Sequence, residues 1–515
     1  MATLSFREKV GYAMGDAAAN LVWRGALAYL AVFYTDTFGL AASATALLFL
    51  IVRFSDGITD IIMGMIADRT TTRWGKFRPW ILGSTPFLAL FMILCFTTPD
   101  LSPTGKLVYA YVTYIGLILA YTVNNVPYSA LMGVMTADDV ERTSLSGFRF
   151  AGAFIGGLFV MGFLPALVTF FGGSDTSAKG YQYAMYVFAL VLTVLMLVTV
   201  LSTKERIRPA EVRRDNLKTE IRDLLKNLPF IIVPLGALTA FFFYRNWLTG
   251  IILLITIVTT VFFIRRLIAR PMHGLSGTQQ DIIDLLTNKP WLILLGMGFL
   301  TMMFNGIKYG VIAYYFKYYV GDALLTGQYF VALLVVSVVG ALITGYFAKL
   351  LGRRRVFILA LIFSSLLTCV FFWLPRDNIM LIFAVGCAAE IFAAMLPTLF
   401  FSMLGDAADY SEWKHGRRAT GLVYSAGTFV QKTGGGFAGA LVLLVLASYG
   451  YDGMDKTTAA AATPGMLLLM SFIPAAFGIA GAVLMMFYPI TEQQQQTMSS
   501  ELVARRKASL QTANA

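Results

Sequence analysis

Asp56 and Asp60 stand four residues apart in FLIVRFSDGITDIIMGMIAD (49–68), a run otherwise apolar enough to cross a bilayer. That spacing puts both carboxylates on one helix face, and Arg53, three residues earlier, shares much of it. A charge at the bilayer centre costs roughly 2.5–3.5 kcal/mol even on the lenient insertion scale, so three of them require a reason. Two neighbouring carboxylates cannot both stay ionised in a dry site without a cation or protons. Their oxygens are hard ligands, suited to an alkali ion or to protonation. The chemistry on offer is cation binding. The competing reading is an ion-pair network with Arg53 that keeps helices in register. Two acids against one base leave surplus negative charge, which favours the cation site.

Other polar groups recur at similar depth. Asp16, Asn20 and Arg24 run at i, i+4, i+8 along one stripe, and AYTVNNVPYSAL carries Thr122, Asn124, Asn125 and Tyr128. Arg24, Arg149, Lys308 and Lys432 lie too far from expected span ends to snorkel, so each needs a cavity or an acid; Glu390 could neutralise one of them. Tyr121 and Tyr128 have faces on which a sugar ring could stack. Enzyme signatures are missing: no HExxH motif, no Ser/His pair and no clustered metal ligands occur. The glycines of GTFVQKTGGGFAGA (427–440) lack the strand and the GK[ST] ending of a phosphate loop, and read as close helix contacts. The three cysteines fall inside apolar spans, as small hydrophobes do.

The elements that must position these groups are transmembrane helices. The chain of 515 residues is 58% hydrophobic and 13% charged, far from a soluble domain. Apolar runs long enough for a 30 Å core predict helices near 10–38, 44–66, 80–97, 107–133, 144–171 and 182–201. A second block is predicted near 291–319, 328–351, 356–374, 379–404, 419–447 and 465–489. Basic loops after the second span of each block suggest paired six-helix bundles around a midplane site, the major facilitator architecture. The organisation is a first bundle (1–201), a linker (202–290), a second bundle (291–489) and a tail (490–515). Within the linker, 229–244 and 247–264 read as an inserted hairpin, which makes fourteen spans; a re-entrant or interfacial pair is the alternative. Most of the 40 Lys and Arg fall on the side of both termini, which places those termini in the cytoplasm. The net charge of +12 is therefore topological, and no nucleic-acid partner is expected. Membrane lipids are the expected surroundings.

RFSDGITDIIMGMIADRTTTRWGKFRPWIL resembles the signature region of the glycoside–pentoside–hexuronide:cation symporters, the melibiose permease-like family. The likeness continues in VTYIGLILAYTVNNVPYSAL, in RTSLSGFRFAGAF and in GDAADYSEWKHGRRATGLVYSAGTFVQKTGGGF. It implies a bacterial inner-membrane symporter of a small sugar, with Asp56, Asp60 and Thr122 holding the coupling cation. It makes Arg149 a sugar-pocket residue, and places Lys432 near both sites. Asp406 and Asp409 would belong to a cytoplasmic charge network that closes the inward mouth, and Arg53 to one beside the cation aspartates. No cofactor is implied beyond that cation, Na⁺ or H⁺, with Na⁺ favoured by Thr122. Where melibiose-type members use two carboxylates to clasp a neutral galactoside, this chain has Asn20 and Asn125. Ser129 replaces a stacking aromatic, and Arg24 and Lys308 add positive charge. Together with Tyr121, these residues suggest a pocket for a sugar that carries a carboxylate, such as a uronide. A lipid or amphiphile transporter on the same fold is the alternative.

Overall fold

Two of the long helices are split, each about one turn before a proline, Pro397 and Pro474. The computed structural model describes residues 4–40, 42–174, 177–207, 237, 247–268, 277–322, 325–451 and 461–513, and some side chains within these remain outside the description. Among the described residues the chain is helical apart from turns and one isolated bridge between Thr72 and Gly75. The first block comprises α1 (Phe6–Val32), α2 (Ala42–Arg69), α3 (Arg78–Cys95), α4 (Pro103–Met135), α5 (Asp139–Gly172) and α6 (Ala178–Ser202). After α7 (Trp247–Ile268) and the short α8 (Gly277–Leu286) come α9 (Lys289–Tyr314), α10 (Leu325–Leu351) and α11 (Arg353–Val370). The chain ends with α12 (Ile379–Ala393), α13 (Met395–His415), α14 (Thr420–Ser448), α15 (Thr463–Met470), α16 (Phe472–Met486) and α17 (Glu492–Ala513). A proline in a helix clashes with the carbonyl four residues back. For Pro397 and Pro474 those carbonyls belong to Ala393 and Met470, where α12 and α15 stop.

Counting α12–α13 and α15–α16 each as one broken span, ten described segments have the length and composition to cross a membrane. Helices α1 and α2 match them in length, with 27 and 28 residues, and they carry the polar stripe. The second arm of the expected hairpin coincides with α7, whose apolar side chains from Leu248 to Phe262 are mostly exposed. The first arm lies outside the described residues.

In the first bundle α1 packs on α5 and α6, α3 on α4 and α6, and α2 on α4. In the second, α9 packs on α14 and α16, while α11 packs on α16 and α12. The bundles meet through α2 on α14, α5 on α10 and α13, and α4 on α14. Glycine makes two of these crossings possible. A Cβ on Gly421 would sit 2.5 Å from the Gly64 carbonyl oxygen, and one on Gly147 would sit 2.5 Å from that of Ala341. Both neighbours are backbone and cannot rotate away. Gly147→Val is therefore expected to push α5 off α10 and reduce transport at least about tenfold, the size of an overpacking penalty. Uptake normalised to the amount of protein inserted in proteoliposomes checks this; normal uptake would mean the crossing is looser than drawn.

Candidate functional site

Three helices converge on the paired aspartates. Asp56 and Asp60 are buried on α2, with Asp60 about 14 Å along the axis from the Arg69 end. From α4, the Thr122 hydroxyl lies 3.1 Å from Asp56 Oδ1 and 3.0 Å from Asp60 Oδ1, positioned to donate to either. From α14 in the other bundle, Lys432 Nζ lies 2.8 Å from Asp56 Oδ2 and 2.8 Å from Asp60 Oδ2. The ammonium thus sits between the two carboxylates. Two acids and one base leave a net single negative charge, which one monovalent cation would cancel. No group of three or more His, Cys, Asp or Glu that could hold a metal ion occurs among the described residues. Two carboxylates and a hydroxyl suit an alkali ion or a proton better than a transition metal. The Arg53 side chain lies outside the described residues; the described counter-charge to the aspartates is Lys432.

Beside this pair lies a second group of polar and aromatic residues. Arg149 donates from Nε to Asp16 Oδ2 (2.9 Å) and from Nη2 to the Ser129 hydroxyl (3.0 Å). Its guanidinium also lies 4.3 Å from the ring of Phe401, in the opposite bundle. Arg149 Nη1 is buried and makes no hydrogen bond among the described residues. Asn20 donates to the Asp16 carbonyl (2.9 Å) and accepts from Arg24 Nε (3.3 Å). Arg24 forms no ion pair among the described residues. The amide of Asn125 likewise has no hydrogen-bond partner among them. Tyr121 stacks on Trp23 with ring centroids 5.3 Å apart. Asn20, Trp23, Arg24 and Lys432 are partly exposed although they lie well inside their helices.

Not every expected pocket residue is free to bind. Lys308 is buried and pairs with Glu390 at 2.7 Å, and Glu390 also accepts from Tyr309 (2.8 Å) and Ser337 (3.0 Å). Its positive charge is therefore answered within the second bundle. Tyr128 is spoken for as well: it stacks on Tyr12, and the two hydroxyls each donate to the other residue's carbonyl. It fastens α4 to α1. Asn124 donates to the Ile81 carbonyl and to Ser84, which ties α4 to α3.

At the end that carries both termini, a buried charge cluster joins the bundles. Arg142 of α5 is fully buried and reaches Asp406 (2.9 Å) and Asp409 (2.8 Å) on α13. Arg353 pairs with Asp406 (2.7 Å) and with Asp139 of the first bundle (3.2 Å). Arg418 pairs with Asp409 and with Glu412, and donates to the Gly133 carbonyl of α4. Gln495 of α17 donates to Asp406 (3.1 Å). Nearby, Asp68 at the end of α2 pairs with Lys76 and accepts the Leu422 amide at the start of α14, where a helix dipole favours an acid. Outside the spans, burial pushes the Asp284 carboxyl of α8 up, against the pull of His415 and Arg417. The arginines were the part that sequence reading missed. Arg142, Arg353 and Arg418 sit at helix starts, where basic residues read as topology signals, although Arg142 and Arg418 fall within the quoted family-like segments.

Two helical bundles, charged groups buried midway between them and a charge cluster across one end define a secondary carrier of the major facilitator type. The chain belongs to the MFS/sugar transport protein family, whose profile matches residues 11–262 and 247–492. It is an integral membrane transporter, not an enzyme. It is similar to the inner membrane symporter YicJ of Escherichia coli K12, at 31% identity over 510 residues, covering 98% of this chain and 96% of that protein. The putative glycoside/cation symporter YagG of the same organism is 31% identical over 509 residues, covering 99% and 97%. The glucuronide carrier protein homolog of that organism is 26% identical over 517 residues, covering 99% and 98%. Among solved structures, the major facilitator transporter FucP in its outward conformation shares the fold. Its TM-score is 0.59 at 12% identity, covering 94% of this chain and 98% of that one.

Proposed function

We propose that the chain is a cation-coupled glycoside symporter, with sodium as the favoured ion and Asp56, Asp60 and Thr122 as its ligands. One observation carries this reading: the Lys432 ammonium, supplied by the opposite bundle, bridges both carboxylates at 2.8 Å. A group that can be displaced by an ion, and that links the two halves, ties ion binding to their relative position. Alternating access then follows from rocking of the bundles about a fixed midplane site, and reciprocal linkage requires ion and sugar each to raise the other's affinity. In this reading the contacts that Arg142, Arg353 and Arg418 make between the bundles close the end bearing the termini. We place that end in the cytoplasm of a bacterial inner membrane, and read α7 as one arm of an inserted hairpin in a fourteen-span topology.

Asn20, Arg24, Tyr121, Asn125 and Arg149 form the sugar site in this reading. Of the two extra cations, Lys308 is neutralised by Glu390, so the electrostatic case for an acidic sugar rests on Arg24 and the unpartnered Nη1 of Arg149. A uronide carboxylate answers both, and the similarity to a glucuronide carrier homolog accords with it. Uptake of a labelled uronide and of a matched neutral glycoside into proteoliposomes under a sodium gradient is the test. Uronide accumulation alone is expected. Accumulation of the neutral sugar alone would keep the symporter and overturn the role given to Arg24.

A further inference from the structure

We propose that Trp23 is the positioning residue that receives the Lys432 ammonium when a cation displaces it from between Asp56 and Asp60. This rests on the cation-site reading above and extends it to a residue outside the ligand set. A cation entering between the carboxylates takes the place of the lysine, and the two positive charges repel. The lysine cannot be left in an apolar span without compensation, because an unpaired buried charge is strongly disfavoured. Lys432 Nζ already lies 5.8 Å from the centre of the Trp23 ring, within the range of a cation–π contact. Tryptophan is the best of the aromatic residues for that contact.

The ring is held for the purpose by its stacking on Tyr121, at 5.3 Å and 25° between planes. Tyr121 is the chain neighbour of Thr122, whose hydroxyl faces both aspartates. One turn of α4 therefore fixes the carboxylate pair and the aromatic seat together. Trp23 also stands between Asn20 and Arg24 on α1, so a lysine resting on its face lies next to the proposed sugar site. Ion binding would in this way add a positive charge beside the sugar, and that is a direct physical route for coupling.

Calorimetric titration of the purified full chain with sodium chloride, against choline chloride controls, tests the proposal. Trp23→Leu should weaken sodium binding between about two- and thirty-fold, the range of a partly to fully desolvated cation–π contact. Trp23→Phe, which keeps a ring face, should recover part of that loss. In a Lys432→Ala background the Trp23→Leu effect should vanish, because the group that the ring receives is gone. A merely structural tryptophan would show the same loss in both backgrounds, which would overturn the proposal. So would unchanged sodium binding in Trp23→Leu. If Asp60→Asn bound sodium as the wild type does, the ligand assignment itself would fail, and a wild type that bound no sodium would remove both readings.

Discussion

Arg142→Ala is expected to open the end that bears the termini and to abolish ion-driven accumulation. Arg142 is fully buried and bonds Asp406 and Asp409, which belong to the other bundle. Removing one partner of a buried pair typically costs about 3–5 kcal/mol, because the surviving charges keep their desolvation penalty. Asp406 retains Arg353 and Gln495, and Asp409 retains Arg418, so the low end of that range applies. All of this penalty falls on the arrangement with that end closed, since the contact joins the two bundles. The equilibrium between closed and open should therefore shift by on the order of a hundredfold. Ser402 reports the change: it is buried on α13 and shares a 2.7 Å hydrogen bond with Thr143 of α5. In a background without native cysteines, Ser402→Cys should react slowly with a maleimide, and rapidly once Arg142→Ala is added. Arg142→Lys should fall between them, because one ammonium cannot reproduce the two-pronged contact. Equal reaction rates in all three would mean the cluster does not hold the bundles together.

The helices and the acids on them were legible because the membrane enforces a simple code. Apolar length marks a span, and a carboxylate inside one stands out against about 20 apolar neighbours. The i, i+4 spacing of Asp56 and Asp60 therefore brought the two carboxylates together before any fold was known. Their counter-charge was legible only through the family resemblance, which placed Lys432 near the cation site, and not through local spacing. Arg53, the near neighbour in sequence, has a side chain outside the described residues, whereas Lys432 arrives from a helix in the other bundle. Local spacing carries no information about such a contact. The same limit applied to Lys308, whose partner Glu390 could be suspected but not matched to it, and to Arg149, which Asp16 neutralises. Trp23 was passed over for another reason. In a chain with 41 Phe and 24 Tyr, aromatic residues look like lipid-facing bulk, and only its place between Tyr121 and Lys432 separates it from the rest.

Asp60→Asn and Lys432→Ala should move cation affinity in opposite directions, and that opposition decides between the two readings of the carboxylate pair. Asparagine keeps the shape and one acceptor oxygen but carries no charge to offer an ion. A unit charge interaction at 4 Å is worth on the order of 4 kcal/mol at an effective dielectric of 20, so losing one carboxylate should weaken cation binding by at least about a hundredfold. Sodium-driven accumulation should disappear with it. Downhill sugar exchange should survive in part, because Asp60 is not among the proposed sugar ligands. Lys432→Ala removes the competitor that now bridges Asp56 and Asp60. The site is left with two negative charges and a stronger demand for a cation or a proton, so sodium should bind about tenfold more tightly. Transport would still suffer, since the link from ion to opposite bundle is cut. Tight sodium binding without accumulation would separate affinity from coupling in a single variant. A purely structural ion pair predicts something else: both substitutions would destabilise the fold to a similar degree, and neither would tighten sodium binding. Calorimetry on both purified variants gives the sign directly. If Lys432→Ala bound sodium more weakly than the wild type, the lysine would be supporting the site and not competing for it.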